Sequence, residues 1–153
     1  MSDIEKVVTI NRKARYDYEI VDRYEAGISL LGSEVKALRE GRANLKDSYA
    51  SINGNRVVLH NCHIGPYQPA GAHAQHEPER PRPLLLKQRE IDKLRGKIVE
   101  RGFTLVPLRI YFRGGWAKVE LGLGKGKRAY DKRQAMRKDA VKREIEQELR
   151  RRG

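Results

Sequence analysis

The chain has 153 residues and a formal net charge of +13, from 33 lysines and arginines against 20 acidic residues. That length carries one modest core, and the charge points to an anionic partner, nucleic acid ahead of an anionic membrane surface. No run reaches membrane-spanning length, MSDIEKVV lacks a signal peptide's order, and Cys62 stands alone; secreted disulfide-framed and membrane classes are therefore excluded and a reducing cytoplasm is expected.

Residues 1–10 have no firm pattern, although Val7, Val8 and Ile10 can pack beneath a domain. Arg12, Lys13 and Arg15 cluster just ahead of the first clear strand, beside Asn11, whose amide can both donate to and accept from a base edge. A solvated strand start accounts for the same residues equally well. From Tyr16 to Leu30 the even positions are apolar with Asp22 the single break, while Asp17, Glu19, Arg23, Glu25 and Ser29 take odd ones. One long bent strand, or two joined at Asp22, is expected. Ser33 then reads as the N-cap of a short helix over 34–40, with Glu34 at its positive end, Val35 and Leu38 inward and Gly41 as the stop. Lys36 and Arg39 lie three apart on its exposed side, where they suit RNA or plain solvent.

Strands are expected over 48–52 and 56–64, split by the turn Asn53-Gly54. His60, Cys62 and His63 invite a metal or nucleophile reading. On a strand, however, His60 and Cys62 share one face while His63 points away, and no second CxxC or HxxxH completes a ligand set. No metal, no cofactor and no catalytic Cys–His pair is expected. Residues 65–83 hold five of the six prolines, a connection long enough to be functional or disordered. Leu84, Leu85 and Leu86 follow, then a helix over 87–101 with Ile91, Leu94 and Ile98 on one side and Gly102 closing it. The last pair is a hairpin turning at Gly114-Gly115, with Leu108, Ile110, Phe112, Ala117, Val119, Leu121 and Leu123 alternating inward and Pro107 marking a bulge or strand start. Tyr16, Tyr18, Tyr111 and Trp116 are aromatic candidates for base stacking, the first two more suited to a core.

Gly122 to Lys127 looks like a phosphate loop but lacks the spacing and terminal Ser/Thr, so it reads as a flexible hinge. Beyond it, residues 125–153 hold 12 basic and five acidic residues, +7 of the total +13. Helix propensity is high there, but the apolar stripe is only Met136, Val141, Ile145 and Leu149. Such a helix has little to bury and is expected to fold fully on contact with phosphate. The division is a body of 1–124 and a basic tail of 125–153. Several antiparallel strands with two helices between them suit a closed or partly open barrel, and nothing forms a catalytic constellation.

In order along the chain, NRKARYDY at 11–18, YEAG at 24–27, GSEVKALR at 32–39, NLKDSY at 44–49, RPRPLLL at 80–86 and GKGKRAYDKR at 124–133 resemble segments of the SsrA-binding protein family, also called small protein B. The resemblance implies a mainly β fold, an oligonucleotide-binding-like closed antiparallel barrel with flanking helices. It implies a non-enzymatic, cytoplasmic, monomeric protein with no membrane association. Members bind the tRNA-like domain of transfer-messenger RNA (tmRNA) and bring it, with elongation factor Tu, to ribosomes stalled on messages lacking a stop codon. Their tail is unstructured in free solution and becomes helical in the empty mRNA channel of the small subunit, near the rRNA of the decoding centre.

Residue by residue, Asn11, Glu25 and Leu85 match family positions implicated in RNA binding. Asp131, Lys132 and Arg133 match decoding-centre contacts, with Lys125, Lys127 and Arg128 leading in and Tyr130 where the family can carry His. Pro83 stands where a basic residue is expected. Without the resemblance, Glu25 reads equally as a surface acid on the odd, outward face and Leu85 as core. A structural or assembly RNA-binding protein of the ribosome is the alternative function.

Overall fold

Alternating hydrophobicity and glycine turns lay down a mainly antiparallel β structure flanked by helices, as expected. The computed structural model describes residues 5–71, 75–126 and 129–152. Along the chain these are β1 (Glu5–Ile10), α1 (Arg12–Asp17), β2 (Tyr18–Ile28), α2 (Gly32–Arg39), β3 (Ala43–Asn44), β4 (Tyr49–Asn53), β5 (Arg56–His60) and β6 (His63–Ile64). A 3₁₀ turn at Gln68–Ala70 precedes β7 (Arg82–Leu85), α3 (Gln88–Arg101), β8 (Thr104–Arg113), β9 (Trp116–Gly126) and α4 (Ala129–Arg152). The main sheet runs β1-β8-β4-β5-β7-β2-β9, and β8 also pairs with β9. Pairing that leaves β8 through β4 therefore returns to it through β9. Inside lie Ala26, Leu38, Leu59, Leu94, Leu105, Ile110, Leu121 and Leu123, all at or near zero exposure.

The break at Asp22 is a bulge. Ile20 pairs with Gly124 but Asp22 pairs with Leu123, so Val21 is an extra residue. β8 carries a matching irregularity: Pro107 pairs with Leu121 and Arg109 with Glu120, leaving Leu108 extra where the proline had announced a bulge. Each extra residue inverts the facing of what precedes it. A Cβ on Gly122 would lie 2.9 Å from Leu108 Cδ1 and 3.1 Å from Ile20 Cδ1, and one on Gly124 would meet Ile20 and Tyr18. Tyr18, Ile20 and Leu108 thus lie over glycines on the face opposite Leu121 and Leu123. The even-position rule holds for β2 only from Asp22 onward, and Gly122 and Gly124 are buried strand residues rather than a hinge.

Other differences have local causes. Tyr16 belongs to α1, not to a strand, because Asn11 caps a helical turn: its Oδ1 accepts from the Ala14 N–H at 3.2 Å. Leu31, not Ser33, occupies the N-cap of α2; Glu34 reaches back to accept the Leu31 N–H at 2.7 Å, while Ser33 bonds His76 Nδ1 at 2.9 Å. The expected strand over 56–64 divides because Asn61 takes a positive φ of 61°, sending β6 to pair with β3. β7 begins at Arg82, so Leu84 points in and Leu85 out.

The proline-rich connection is held by charge. Glu34 is fully buried, accepting from Arg80 Nη2 at 2.6 Å and from Arg82 Nε at 2.5 Å. Arg82, also fully buried, donates to the carbonyls of Cys62 at 2.6 Å and Pro78 at 3.1 Å. Burial opposes the Glu34 charge, yet the Arg80, Leu31 N–H and Arg82 hydrogen bonds prevail and hold its carboxyl below the ordinary range.

Candidate nucleic-acid interface

α1 is where the sequence-predicted basic cluster lies. Asn11 anchors it: its N–H donates to Leu108 O at 2.8 Å and its Nδ2 to Pro107 O at 2.9 Å. With Oδ1 spent on Ala14, the amide expected to read a base edge is buried and serves the backbone. Asn11 therefore positions α1 on the β8 bulge. Arg12, Lys13 and Arg15 are exposed on that helix, Lys13 paired with Asp47 at 2.8 Å and Arg15 facing Asp139 of α4 at 3.6 Å.

Glu25 is on the outward face of β2 and works inside an ionic lattice. Tyr111 Oη donates to it at 2.5 Å and Arg113 Nη1 lies 2.6 Å away. Arg113 also pairs with Glu5, as does Arg109 at 2.9 Å, and Arg109 meets Glu120 at 3.1 Å. Both guanidiniums cover the Tyr111 ring, at 4.2 and 5.5 Å from its centre. That cover buries Tyr111, so the ring expected to stack on a base is already occupied. Burial, and then donation to Glu25, push its phenol well above the ordinary value, while hydrogen bonds from Arg109 and Arg113 hold the Glu5 carboxyl below its own.

Trp116 is free of such cover at 74 % exposed, and Leu85 is 64 % exposed rather than core. Leu85, Gly27 and Lys118 form one row across β7, β2 and β9. An apolar side chain, a bare backbone and a cation in line suit a sugar or base edge beside a phosphate. The α2 cations are set apart from each other: Lys36 sits 5.5 Å above the Tyr67 ring and Arg39 4.8 Å above Phe112. Lys125 lies 5.5 Å over Phe103.

Lys127 and Arg128 lie outside the described residues, as do the side chains of Tyr130, Asp131 and Lys132. Arg133 is exposed on α4, whose apolar stripe of Met136, Val141, Ile145 and Leu149 is exposed too. α4 meets α1 through Tyr16, which donates to Asp139 and accepts from Arg143 Nη2 at 3.4 Å, and through Arg15, 3.6 Å from Asp139. Arg23 and Arg109, which flank Glu120, were missed in the sequence. Their signal was present: outward strand positions alternating arginine with apolar residues.

His60 stacks on Tyr49 at 5.0 Å and bonds Ser51 Oγ at 2.8 Å, whereas Cys62 is buried in the core and His63 faces Glu79. Burial pushes the Cys62 thiol up to about 11. The three do not converge, and among the described residues no group of His, Cys, Asp or Glu is placed to hold a metal. No described helix is long and apolar enough to cross a membrane.

The chain matches the family model described as SmpB protein over residues 8–151. It is 54% identical to the SsrA-binding protein of Carboxydothermus hydrogenoformans, covering 96% of this chain and 98% of that one. With the SsrA-binding protein of Gloeobacter violaceus the identity is 53%, covering 95% of each. A solved chain described as "tmRNA-SmpB: a journey to the center of the bacterial ribosome" superposes with a TM-score of 0.66 at 47% identity, covering 84% of this chain and 94% of that chain.

Proposed function

This chain belongs to the SmpB family of SsrA-binding proteins, and from that membership we propose a non-catalytic adaptor that binds tmRNA and serves trans-translation on the ribosome. The observation that carries this reading is that similarity at about half identity spans body and tail together, residues 8–151, rather than a shared fold alone. The strand ring acts as an oligonucleotide-binding-like barrel that takes the tRNA-like domain of tmRNA, using the α1 cations, Glu25 and the Leu85–Gly27–Lys118 row. The tail, from Lys125 through Lys127, Arg128, Tyr130, Asp131, Lys132 and Arg133, enters the mRNA channel of the small subunit near the decoding centre. Elongation factor Tu joins through the RNA, and the protein works as a cytoplasmic monomer.

Each part has a physical rationale. Phosphate neutralisation by outward Lys and Arg supplies affinity and makes it salt-dependent. Fixed acids such as Glu25 accept from ribose hydroxyls or base amino groups, which favours RNA. A helix with its apolar stripe exposed and its charge strongly positive is suited to a polyanionic channel.

β9 continues to Gly126, which pairs with Tyr18, so a truncation that spares the sheet ends there. The 1–126 chain is expected to keep selective binding to the tRNA-like domain, against ordinary tRNA and unrelated hairpins, while losing rescue of stalled ribosomes. Loss of selective binding in parallel with rescue overturns this division of labour. Permanent co-sedimentation with ribosomes and no preference for tmRNA would favour a structural ribosomal role instead.

A further inference from the structure

A groove of about 530 Å³ opens beside α1 on the outer face, lined among others by Ile10, Arg15, Ile20, Arg23, Leu108 and Arg109. We propose that it receives one unstacked nucleotide of the bound RNA, its base on the apolar floor and its phosphate on the arginine rim. The inference rests on the RNA-binding reading above and names what this part of the surface takes.

The floor is apolar and uncovered: Ile10 is 50 % exposed, and Ile20 and Leu108 are half-buried beside it. It is sunken because both bulged strands lay Ile20 and Leu108 onto Gly122 and Gly124, whose missing Cβ atoms let them drop toward the sheet. A contiguous exposed apolar patch rimmed by polar residues marks an interaction site. The rim is preorganised. Glu120 accepts from Arg23 Nη1 and from Arg109 Nε, both at 3.1 Å, and Arg109 is stacked on Tyr111 at 4.2 Å. Arg15 closes the α1 side, with Asp139 facing it. Arg15, Arg23 and Arg109 stand in the groove with Glu19 and Glu120, but Arg15 also faces Asp139 and Arg109 also pairs with Glu5, so a phosphate joins the rim by exchanging with those carboxylates. Glu19 and Glu120 can accept from a base amino group or a ribose hydroxyl. The volume falls in the range of about 300–1,000 Å³ that small-ligand sites occupy, and an apolar floor with guanidinium walls is the chemistry by which splayed bases are held.

The test is binding of the tRNA-like domain of tmRNA to the full chain and to Ile10→Ser and Arg23→Gln, each across a salt series. Ile10→Ser should weaken binding about tenfold, the size of one base contact, without altering the salt slope. Arg23→Gln should weaken it and flatten the slope by about one. Abasic substitution of the unpaired nucleotides in turn should reveal one position whose loss is not additive with Ile10→Ser. The same abasic position should also weaken binding to the unaltered chain, a readout that does not depend on the variant's folding. Unaltered affinity for Ile10→Ser, or additivity at every abasic position, overturns the groove while leaving selective RNA binding standing. Failure of the unaltered chain to select the tRNA-like domain overturns the proposed function, and this site with it.

Discussion

Glu34 shows how far one side chain's role can depart from its place in the sequence. At the start of a short helix it reads as an acid favoured by the helix dipole, but in the fold it is a fully buried hub between Arg80 and Arg82. Replacing it by Gln leaves two guanidiniums facing a neutral amide, one of them fully buried. Removing one partner of such a pair costs about 3 kcal/mol, so Glu34→Gln should lower the thermal midpoint clearly; an unmoved midpoint would contradict the hub. The sign with pH follows from its depressed carboxyl. Stability from Glu34 is full above the ordinary carboxyl range, about pH 4.5, and is lost as pH falls through the lower folded value. Glu34→Gln should flatten that acid-side decline. The same contrast separates Leu84 from Leu85, adjacent residues of which one is buried and the other 64 % exposed.

At the scale of elements, most of the hairpin, the α3 boundaries and the strand content were legible, because period-two alternation and glycine stops are local signals. The bulges were only half legible. Pro107 announced one and Asp22 marked the place of the other, but the even-position pattern on either side of Asp22 does not show that the extra Val21 reverses which face the first residues of β2 serve. No sequence period distinguishes that from a regular strand, since partner register decides it. The glycines of β9 were misread for the same reason. They look like a hinge in sequence and are close-approach positions in the sheet. A Cβ on Gly124 would lie 3.0 Å from Ile20 Cδ1 and 3.1 Å from the Glu19 carbonyl oxygen, and the latter is backbone that cannot step aside. Gly124→Ala should therefore destabilise the chain by about 1–3 kcal/mol, the usual cost of overpacking, measured by denaturant unfolding. A hinge role predicts near-neutral stability instead. Asn11 likewise was legible as important but not in kind, since the Pro107 carbonyl to which its Nδ2 donates is 96 residues away.

For the whole molecule, the question is how a body and a strongly basic tail share one chain without repelling each other. Residues 125–153 carry +7 of the net +13 charge, yet α4 leans on the basic helix α1. Asp139 reconciles them. It accepts from Tyr16, which belongs to the body, and sits between Arg15 and Arg143; the Tyr16 hydrogen bond first, then those charges, hold its carboxyl below the ordinary range. The apolar stripe of α4 adds nothing, because Met136, Val141, Ile145 and Leu149 all face solvent. Docking that depends on a few exposed polar contacts is weak and salt-sensitive, so a single substitution should release it. With spin labels at Asn55 and Lys142, Asp139→Asn is expected to broaden the distance distribution that the unaltered chain keeps narrow at low salt. Because the Asp139 carboxyl is depressed, the unaltered chain should hold its narrow distribution at neutral pH and lose it only as pH falls below the ordinary carboxyl range. Identical distributions in the two proteins would mean that Asp139 does not tether the tail. A broadened one would mean that the body holds its tail by one carboxylate, a contact that any polyanion competing for Arg15 and Arg143 can displace.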